Sequence, residues 1–176
     1  MINASELPSL ALLGAYREAG AYTDCYVAEI TRPATQAEYI EAFYTTWVFK
    51  LERLLLAWFV SRPSTDLQAS ALAAGNQDSF AAWRVEGRTA DQLLMCDFQG
   101  RTRSWLMSAR VSDDSAVSTR LYFGSAVVPV TNPRSGRAAM GFAVRALIGF
   151  HKVYSRVLLR AAVSRLLRSA PPRQAP

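Results

Sequence analysis

Histidine and cysteine are scarce in this sequence: its 176 residues include one histidine and two cysteines. A structural zinc site takes four Cys or His ligands, and a disulfide scaffold needs several cysteine pairs, so both classes are excluded. Charged residues make up 19% of the chain and apolar residues 51%. Such a chain is too apolar for disorder and is long enough for one domain with its own core.

Long apolar runs and nucleotide-binding motifs are also missing. The apolar run from Leu54 to Val60 is much shorter than the roughly 20 residues of a membrane-spanning helix. Glu6 and Pro8 interrupt an N-terminal segment without basic residues, so no secretory signal is expected. No G-x-G-x-x-G or phosphate-loop pattern occurs, and no cofactor or metal is expected. These features predict a cytoplasmic protein whose cysteines are buried free thiols.

Negative charge is absent from the C-terminal part of the chain. From Asn132 onward there are nine lysines and arginines and no acid, whereas the preceding part has a net charge of −3. A basic segment of this kind can contact nucleic acid or anionic lipid. Because it contains no recognisable nucleic-acid-reading motif, nucleic-acid binding is not expected. A peripheral membrane contact and a homodimer both remain open.

The period of the apolar residues changes along the chain, which predicts an α+β domain over residues 1–168 and a disordered tail over 169–176. Tyr22–Thr31 is rich in β-branched and aromatic residues and is predicted to be a strand. Thr35 and Glu38 form a capping-box pattern that starts a long helical stretch, either continuous or broken at Thr45-Thr46. Further helices are predicted over 64–74 and 137–168. Between these two helices, alternation predicts a four-stranded antiparallel meander: Phe80–Glu86, Gln92–Phe98, Thr102–Val111 and Val117–Val130.

Three short strings carry a family resemblance: Phe43-Tyr44-Thr45-Thr46, Phe49-Lys50-Leu51-Glu52-Arg53 and Gly149-Phe150-His151-Lys152-Val153-Tyr154-Ser155-Arg156. With these strings and this element order, the chain resembles the START/Bet v 1-like (SRPBCC, helix-grip) superfamily and, within it, a bacterial family. The resemblance implies a curved antiparallel sheet wrapped around a long C-terminal helix, with a ligand cavity between them. Five strands are predicted here, where that fold has about seven.

Strand register decides which side chains would face such a cavity. A two-residue turn at Gln99-Gly100 places Trp105 on one face of the meander together with its alternate neighbours. A five-residue loop at 112–116 then adds Phe123 to that face, whereas a four-residue loop would place Tyr122 there instead. The five-residue loop is preferred, because it separates polar from apolar residues more completely.

The concave face and the last helix together provide the candidate site. On a helical wheel, His151 and Tyr154 fall on the apolar stripe of the final helix, away from its cationic ridge. Trp83 lies on the strand that precedes the central hairpin. The predicted ligand-binding residues are Trp83, Arg103, Trp105, Met107, Phe123, His151 and Tyr154.

Each of these residues also has a purely structural interpretation. His151 is either a ligand-binding group or general base, or a core histidine. Arg103 either binds a ligand carboxylate or phosphate, or lies at the sheet margin with its guanidinium in water. The aromatic residues either line a pocket or fill a core.

Three functions fit this pattern. The leading hypothesis is a binding module that holds a small hydrophobic ligand between the sheet and the C-terminal helix. The second is an enzyme of the cyclase, dehydratase or hydrolase type that uses the same cavity, which requires His151, Tyr154 and Arg103 to converge. The third is an interaction protein that dimerises or contacts a membrane.

Overall fold

The computed structural model describes residues 1–51, 64–113, 116–128 and 142–169, and in the last range it describes side chains from Lys152 onward. Residues 47–51 form a short helical segment. Nearly all of the predicted tail over 169–176 lies outside the described residues. The labelled elements, in chain order, are β1 (Ile2–Ala4), α1 (Gly14–Glu18), β2 (Tyr22–Ile30), α2 (Gln36–Tyr44), α3 (Asp66–Ala73), β3 (Ser79–Phe80), β4 (Trp83–Arg88), β5 (Gln92–Asp97), β6 (Thr102–Asp113), β7 (Ala116–Val127) and α4 (Phe142–Arg168).

Local sequence sets the start of two helices. The backbone N–H of Glu38 donates to Thr35 Oγ1 at 3.1 Å, and the Glu38 carboxylate accepts from the Thr35 N–H at 2.7 Å. This is the predicted capping box, and it satisfies backbone donors that the first helical turn would otherwise leave unpaired. Thr65 and Gln68 form the same arrangement at the start of α3. The predicted helix over 64–74 is therefore confirmed.

Within the described ranges, the strands form one antiparallel sheet of seven, in the order β1-β2-β7-β6-β5-β4-β3. The α+β class and the four-stranded meander are confirmed, but the prediction of five strands is wrong. The two missed strands, β1 and β3, are three and two residues long and close the two edges of the sheet. Strands this short contain too little alternation to be recognised in a sequence, and they limit the unpaired edge that the sheet exposes.

The register between β6 and β7 differs from the preferred prediction. Asp113 pairs with Ala116, so two residues rather than five separate the strands. Trp105 therefore lies opposite Gly124, and Phe123 points to the other face of the sheet. The four-residue-loop alternative, which was not preferred, assigned the faces of β7 correctly, because it placed Tyr122 on the same face as Trp105. A shift by an odd number of residues reverses every side chain of a strand.

One face of the sheet, here called the helix face, packs against α2 and α4. Phe43 of α2 lies with its ring centroid 4.9 Å from that of Phe123 and 5.2 Å from that of Tyr44. Leu159 and Leu166 of α4 are fully or almost fully buried in the same cluster. Each buried side chain of this size contributes about 1.5–3 kcal/mol, so this cluster is the main core.

The opposite face, here called the outer face, is covered by the N-terminal segment. The side-chain oxygen of Gln92 accepts from the Leu12 N–H and from the Trp105 indole N–H, both at 2.9 Å. The Gln92 amide nitrogen donates to the Leu10 carbonyl at 3.0 Å. Leu13 is fully buried beside Trp105. Because both faces of the sheet are covered, the separation of polar from apolar residues does not distinguish the two registers.

The last helix runs in the same direction as β2 on the helix face. Near its C-terminal end the Leu166 carbonyl accepts from the Arg32 guanidinium at 2.9 Å, and Arg156 stands 5.2 Å above the Tyr26 ring. Its 27 residues include six arginines or lysines and no acid. Among the helices in the described part of the chain, none has the length and apolar character needed to cross a bilayer.

Candidate functional site

The predicted ligand-binding residues are divided between the two faces of the sheet. Trp105, Met107 and Arg103 lie on the outer face, under or beside the N-terminal segment. Three others lie on the helix side. Trp83, Phe123 and Tyr154 all belong to, or pack against, the main core. The side chain of His151 is outside the described residues. The prediction that all these residues face one cavity is therefore wrong, because β7 is turned over relative to the preferred register.

Trp105 is fully buried as part of the outer-face core. Its indole N–H is used by Gln92, and the carbon added by a side chain at Gly124 would lie 3.0 Å from its ring. Met107 packs against the same cluster. These two residues attach the N-terminal segment to the sheet.

Arg103 forms an internal ion pair rather than a ligand site. Its guanidinium lies 3.0 Å from the Glu86 carboxylate, donates to the Gly100 carbonyl at 2.5 Å and stands 4.6 Å above the Tyr16 ring. The Tyr16 hydroxyl also donates to Glu86. Burial by itself would raise the pKa of Glu86, but hydrogen bonds from Tyr16 and Arg103 outweigh it and lower that pKa.

The enzyme hypothesis required Arg103 to converge with Tyr154. Arg103 lies on the outer face with Glu86, whereas Tyr154 packs against the main core on the helix face. The two side chains are separated by the sheet itself. A shared active site that contains both residues is therefore contradicted.

The sequence prediction missed a polar row on the helix face, formed by Asp24, Ser125 and Ser104. Asp24 pairs with Ser125 in the β2–β7 ladder, and Ser125 pairs with Ser104 in the β7–β6 ladder. Directly opposed residues in adjacent strands have side chains on the same face. The row continues through Met95 of β5, which lies opposite Ser104. Three polar side chains thus lie side by side on a face whose buried residues are mainly apolar.

Asp24 has one carboxylate oxygen that is satisfied and one that is not. Oδ1 accepts from the Ser125 hydroxyl at 2.5 Å and from the Ser125 N–H at 3.2 Å. Oδ2 is buried and has no hydrogen-bond partner among the described residues. Ser125 and Ser104 are both buried beside it. An unsatisfied buried acceptor is unfavourable, and more so when it carries charge. This oxygen is therefore suited to accept a hydrogen bond from a ligand hydroxyl or amine.

The groups around Asp24 are held in their protonated forms. Burial, and then the negative charge of Asp24, raise the pKa of Tyr22 to about 12. The same two causes raise the pKa of the Cys25 thiol to about 12. Burial and Asp24 also raise the pKa of Tyr26, against a lowering effect of Arg156. Cys25 is thus a thiol at neutral pH and has no thiolate to act as a nucleophile.

Apolar and aromatic side chains flank the polar row. Tyr26 and Phe123 are paired in the next row on one side. On the other side, Tyr22 is the next residue of β2 that faces the helices, and Trp83 of β4 packs against the main core. The arrangement is a carboxylate and two serines set between aromatic side chains. It can bind a molecule that is apolar apart from one hydrogen-bond donor.

A signal for this site is present in the sequence. Alternate residues of β2 share one face, and Tyr22, Asp24, Tyr26, Ala28 and Ile30 are on the face that packs against the helices. A single carboxylate on such a face is unusual, because carboxylates are rarely buried without a partner. The predicted site was drawn from the meander and the final helix, and it did not include Asp24 of this strand.

Comparison with known proteins adds no assignment. The chain matches no protein-family model, and a search of curated proteins finds no similar sequence. Within the ranges that the structure describes, no three His, Cys, Asp or Glu side chains come together as a metal site requires. Function is therefore inferred from the geometry of the polar row.

Proposed function

We propose that the protein is a binding module of the helix-grip type that holds a small, mainly apolar ligand between the sheet and α4. The ligand places a hydroxyl or amine against Asp24, and its apolar part lies along Trp83, Met95 and Phe123. The observation that carries this proposal is the buried Oδ2 of Asp24, which has no donor among the described residues.

The position of α4 supports a site at this level of the sheet. Arg156 stands above Tyr26, and Asp24 lies two residues further along β2, or about 7 Å. The same distance along a helix is four to five residues at about 1.5 Å each. Since α4 and β2 run in the same direction, the helix backbone near His151 is level with Asp24. We therefore retain His151 as a ligand contact, together with Tyr154.

A cytoplasmic location belongs to this proposal. Cys25 and Cys96 are both buried free thiols. Burial is the first cause of the raised pKa of each thiol. Both side chains thus pack as reduced thiols, which is the state that cysteine keeps in a reducing compartment.

The proposal is tested with probes of the same alkyl chain length that differ in the hydrogen-bond donors of their head group. Nile red is bound to the full-length protein and displaced with decan-1-ol, decylamine or decyl methyl ether, the last of which has no donor. A hydrogen bond to a charged group contributes about 1.5–3 kcal/mol, so we expect the alcohol and the amine to displace the dye at roughly tenfold lower concentration than the ether.

The Asp24→Ala variant identifies the acceptor. We expect it to lose the preference for the alcohol and the amine, while Asp91→Ala, at an exposed turn position, retains it. Thermal unfolding of both variants shows whether they remain folded. Failure of the wild type to bind the dye, or an unchanged preference in Asp24→Ala, would overturn the proposed function.

A further inference from the structure

The solvent-facing side of α4 has an apolar end and a cationic end. Val153, Val157, Arg160, Ser164 and Arg168 follow one another at intervals of four, three, four and four residues, which places them on one face of the helix. Val153 is 62% and Val157 40% exposed. Amphipathic helices usually bury their valines, so this face is unusual for a helix that meets only water.

A groove connects this face to a second exposed apolar group. It has a volume of about 380 Å³ and separates α4 from the helical segment 47–51. Trp47 at its edge is 70% exposed, and Leu51, one helical turn later, is 52% exposed. The lining residues that matter here are Trp47, Val157, Arg160, Arg165 and Arg168.

The charge around the groove is positive. Arg160, Arg165 and Arg168 line it, and α4 has no acid that could neutralise them. None of the described residues that line the groove is an acid, and of the two acids Asp66 and Glu41 on the neighbouring helices only Asp66 has a cationic partner within the described part of the chain. Asp66 pairs with Lys50 at 2.5 Å, and Glu41 accepts from Ser70 at 2.9 Å.

We propose that this surface docks onto an anionic lipid bilayer. It is defined by Trp47, Leu51, Val153 and Val157 as the apolar part and by Arg160, Arg165 and Arg168 as the cationic part. Tryptophan and short aliphatic side chains enter the boundary between headgroups and acyl chains, while arginines beside them contact lipid phosphates. Near an anionic leaflet each arginine strengthens binding about fivefold, so the three together contribute about a hundredfold.

Charge complementarity favours a membrane over a second copy of this chain. A two-fold symmetric dimer would bring the same patch of each copy together and place arginines against arginines. Nucleic acid would match the charge, but protein surfaces that bind it are more polar, and this one exposes a tryptophan, a leucine and two valines. The bilayer is the partner that uses both the apolar and the cationic parts.

The experiment is vesicle co-sedimentation of the full-length protein. We expect the wild type to sediment with an equal mixture of phosphatidylcholine and phosphatidylglycerol but not with phosphatidylcholine alone. The double variant Arg160→Glu/Arg168→Glu should bind the mixed vesicles at least tenfold more weakly. Its matched control is Arg101→Glu/Arg110→Glu, which changes the net charge equally at exposed sites in the β5–β6 turn and on β6, and which should bind as the wild type does.

Further variants separate the two parts of the surface. Trp47→Ala should weaken binding severalfold, whereas Leu10→Ala, which also removes an exposed apolar side chain, should not. Asp24→Ala should bind vesicles normally, because the proposed ligand site is separate from this surface.

Equal loss in both arginine variants, equal binding to neutral vesicles, or preferential binding of a DNA duplex would overturn the proposal. A stable dimer that Trp47→Ala dissociates would overturn it as well.

Discussion

Asp24 is the residue on which the proposed ligand site depends. It is a carboxylate on a strand face that otherwise packs against the helices, and only one of its two oxygens has a partner among the described residues. Most buried carboxylates are fully hydrogen-bonded or paired with a cation. Asp24 departs from this rule on the helix face, and the proposed ligand site rests on that departure.

Glu86 illustrates the opposite case, a charged residue whose partners are all internal. Hydrogen bonds from Tyr16 and Arg103 lower the pKa of Glu86 below its ordinary value of 4.5, despite the opposing effect of burial. The folded state therefore binds this proton less tightly than the unfolded chain does. The resulting stability is present above the ordinary pKa and is lost as the pH falls through the lowered pKa.

The lowered pKa of Glu86 predicts that the stability of the wild type and that of Glu86→Gln depend differently on pH. Between about pH 5 and about pH 3, the free energy of unfolding of the wild type should fall more steeply than that of the variant. Urea titrations across this range measure both slopes. Glu6→Gln, at an exposed position outside the cluster, should keep the wild-type slope. Identical slopes for wild type and Glu86→Gln would contradict the assignment.

At the scale of elements, helix starts are the most local feature of this protein. The capping box of α2 involves two residues three positions apart, so its pattern is visible without any knowledge of the fold. The strands of the meander are nearly as local, since alternation and turn residues mark them. The pairing of β6 with β7 is different, because its face assignment depends on the parity of one loop.

The cap of α2 has a measurable effect on stability. Thr35→Ala removes the hydroxyl that accepts the Glu38 N–H, and should lower the free energy of unfolding by about 1 kcal/mol. Thr35→Ser keeps a hydroxyl and should retain most of the free energy of unfolding that the cap contributes. Urea denaturation with an unchanged m-value is the measurement. If serine and alanine are equally destabilising, the cap contributes nothing.

At the scale of the whole molecule, the sheet is covered on both faces. The helices pack on one face, and the N-terminal segment packs on the other, held by Gln92 and by the buried Leu13. Gly124 shows how closely this segment approaches the sheet. A Cβ there would lie 2.9 Å from the Asp24 carbonyl oxygen and 2.9 Å from Leu13 Cδ2.

A methyl group at Gly124 should therefore separate the N-terminal segment from the sheet. We expect Gly124→Ala to lower the free energy of unfolding by about 1–3 kcal/mol through overpacking. Gly14→Ala is the matched control, because nothing lies within 4 Å of a Cβ at that position. It should leave stability unchanged or slightly higher, since alanine is the better helix former. A similar loss in both variants would show that the close approach has no energetic consequence.

The amino-acid sequence by itself determined the α+β class, the start of α2, the strand Tyr22–Ile30 and the basic final helix, because caps, turns and apolar periods involve residues that are neighbours in the chain. Tertiary structure alone decided that Trp105 and Phe123 lie on opposite faces and that Arg103 pairs with Glu86. It also decided that Asp24, Ser125 and Ser104 form one row. These outcomes depend on which strands pair, on the parity of their register and on what covers each face, and none of the three is a local property of the chain.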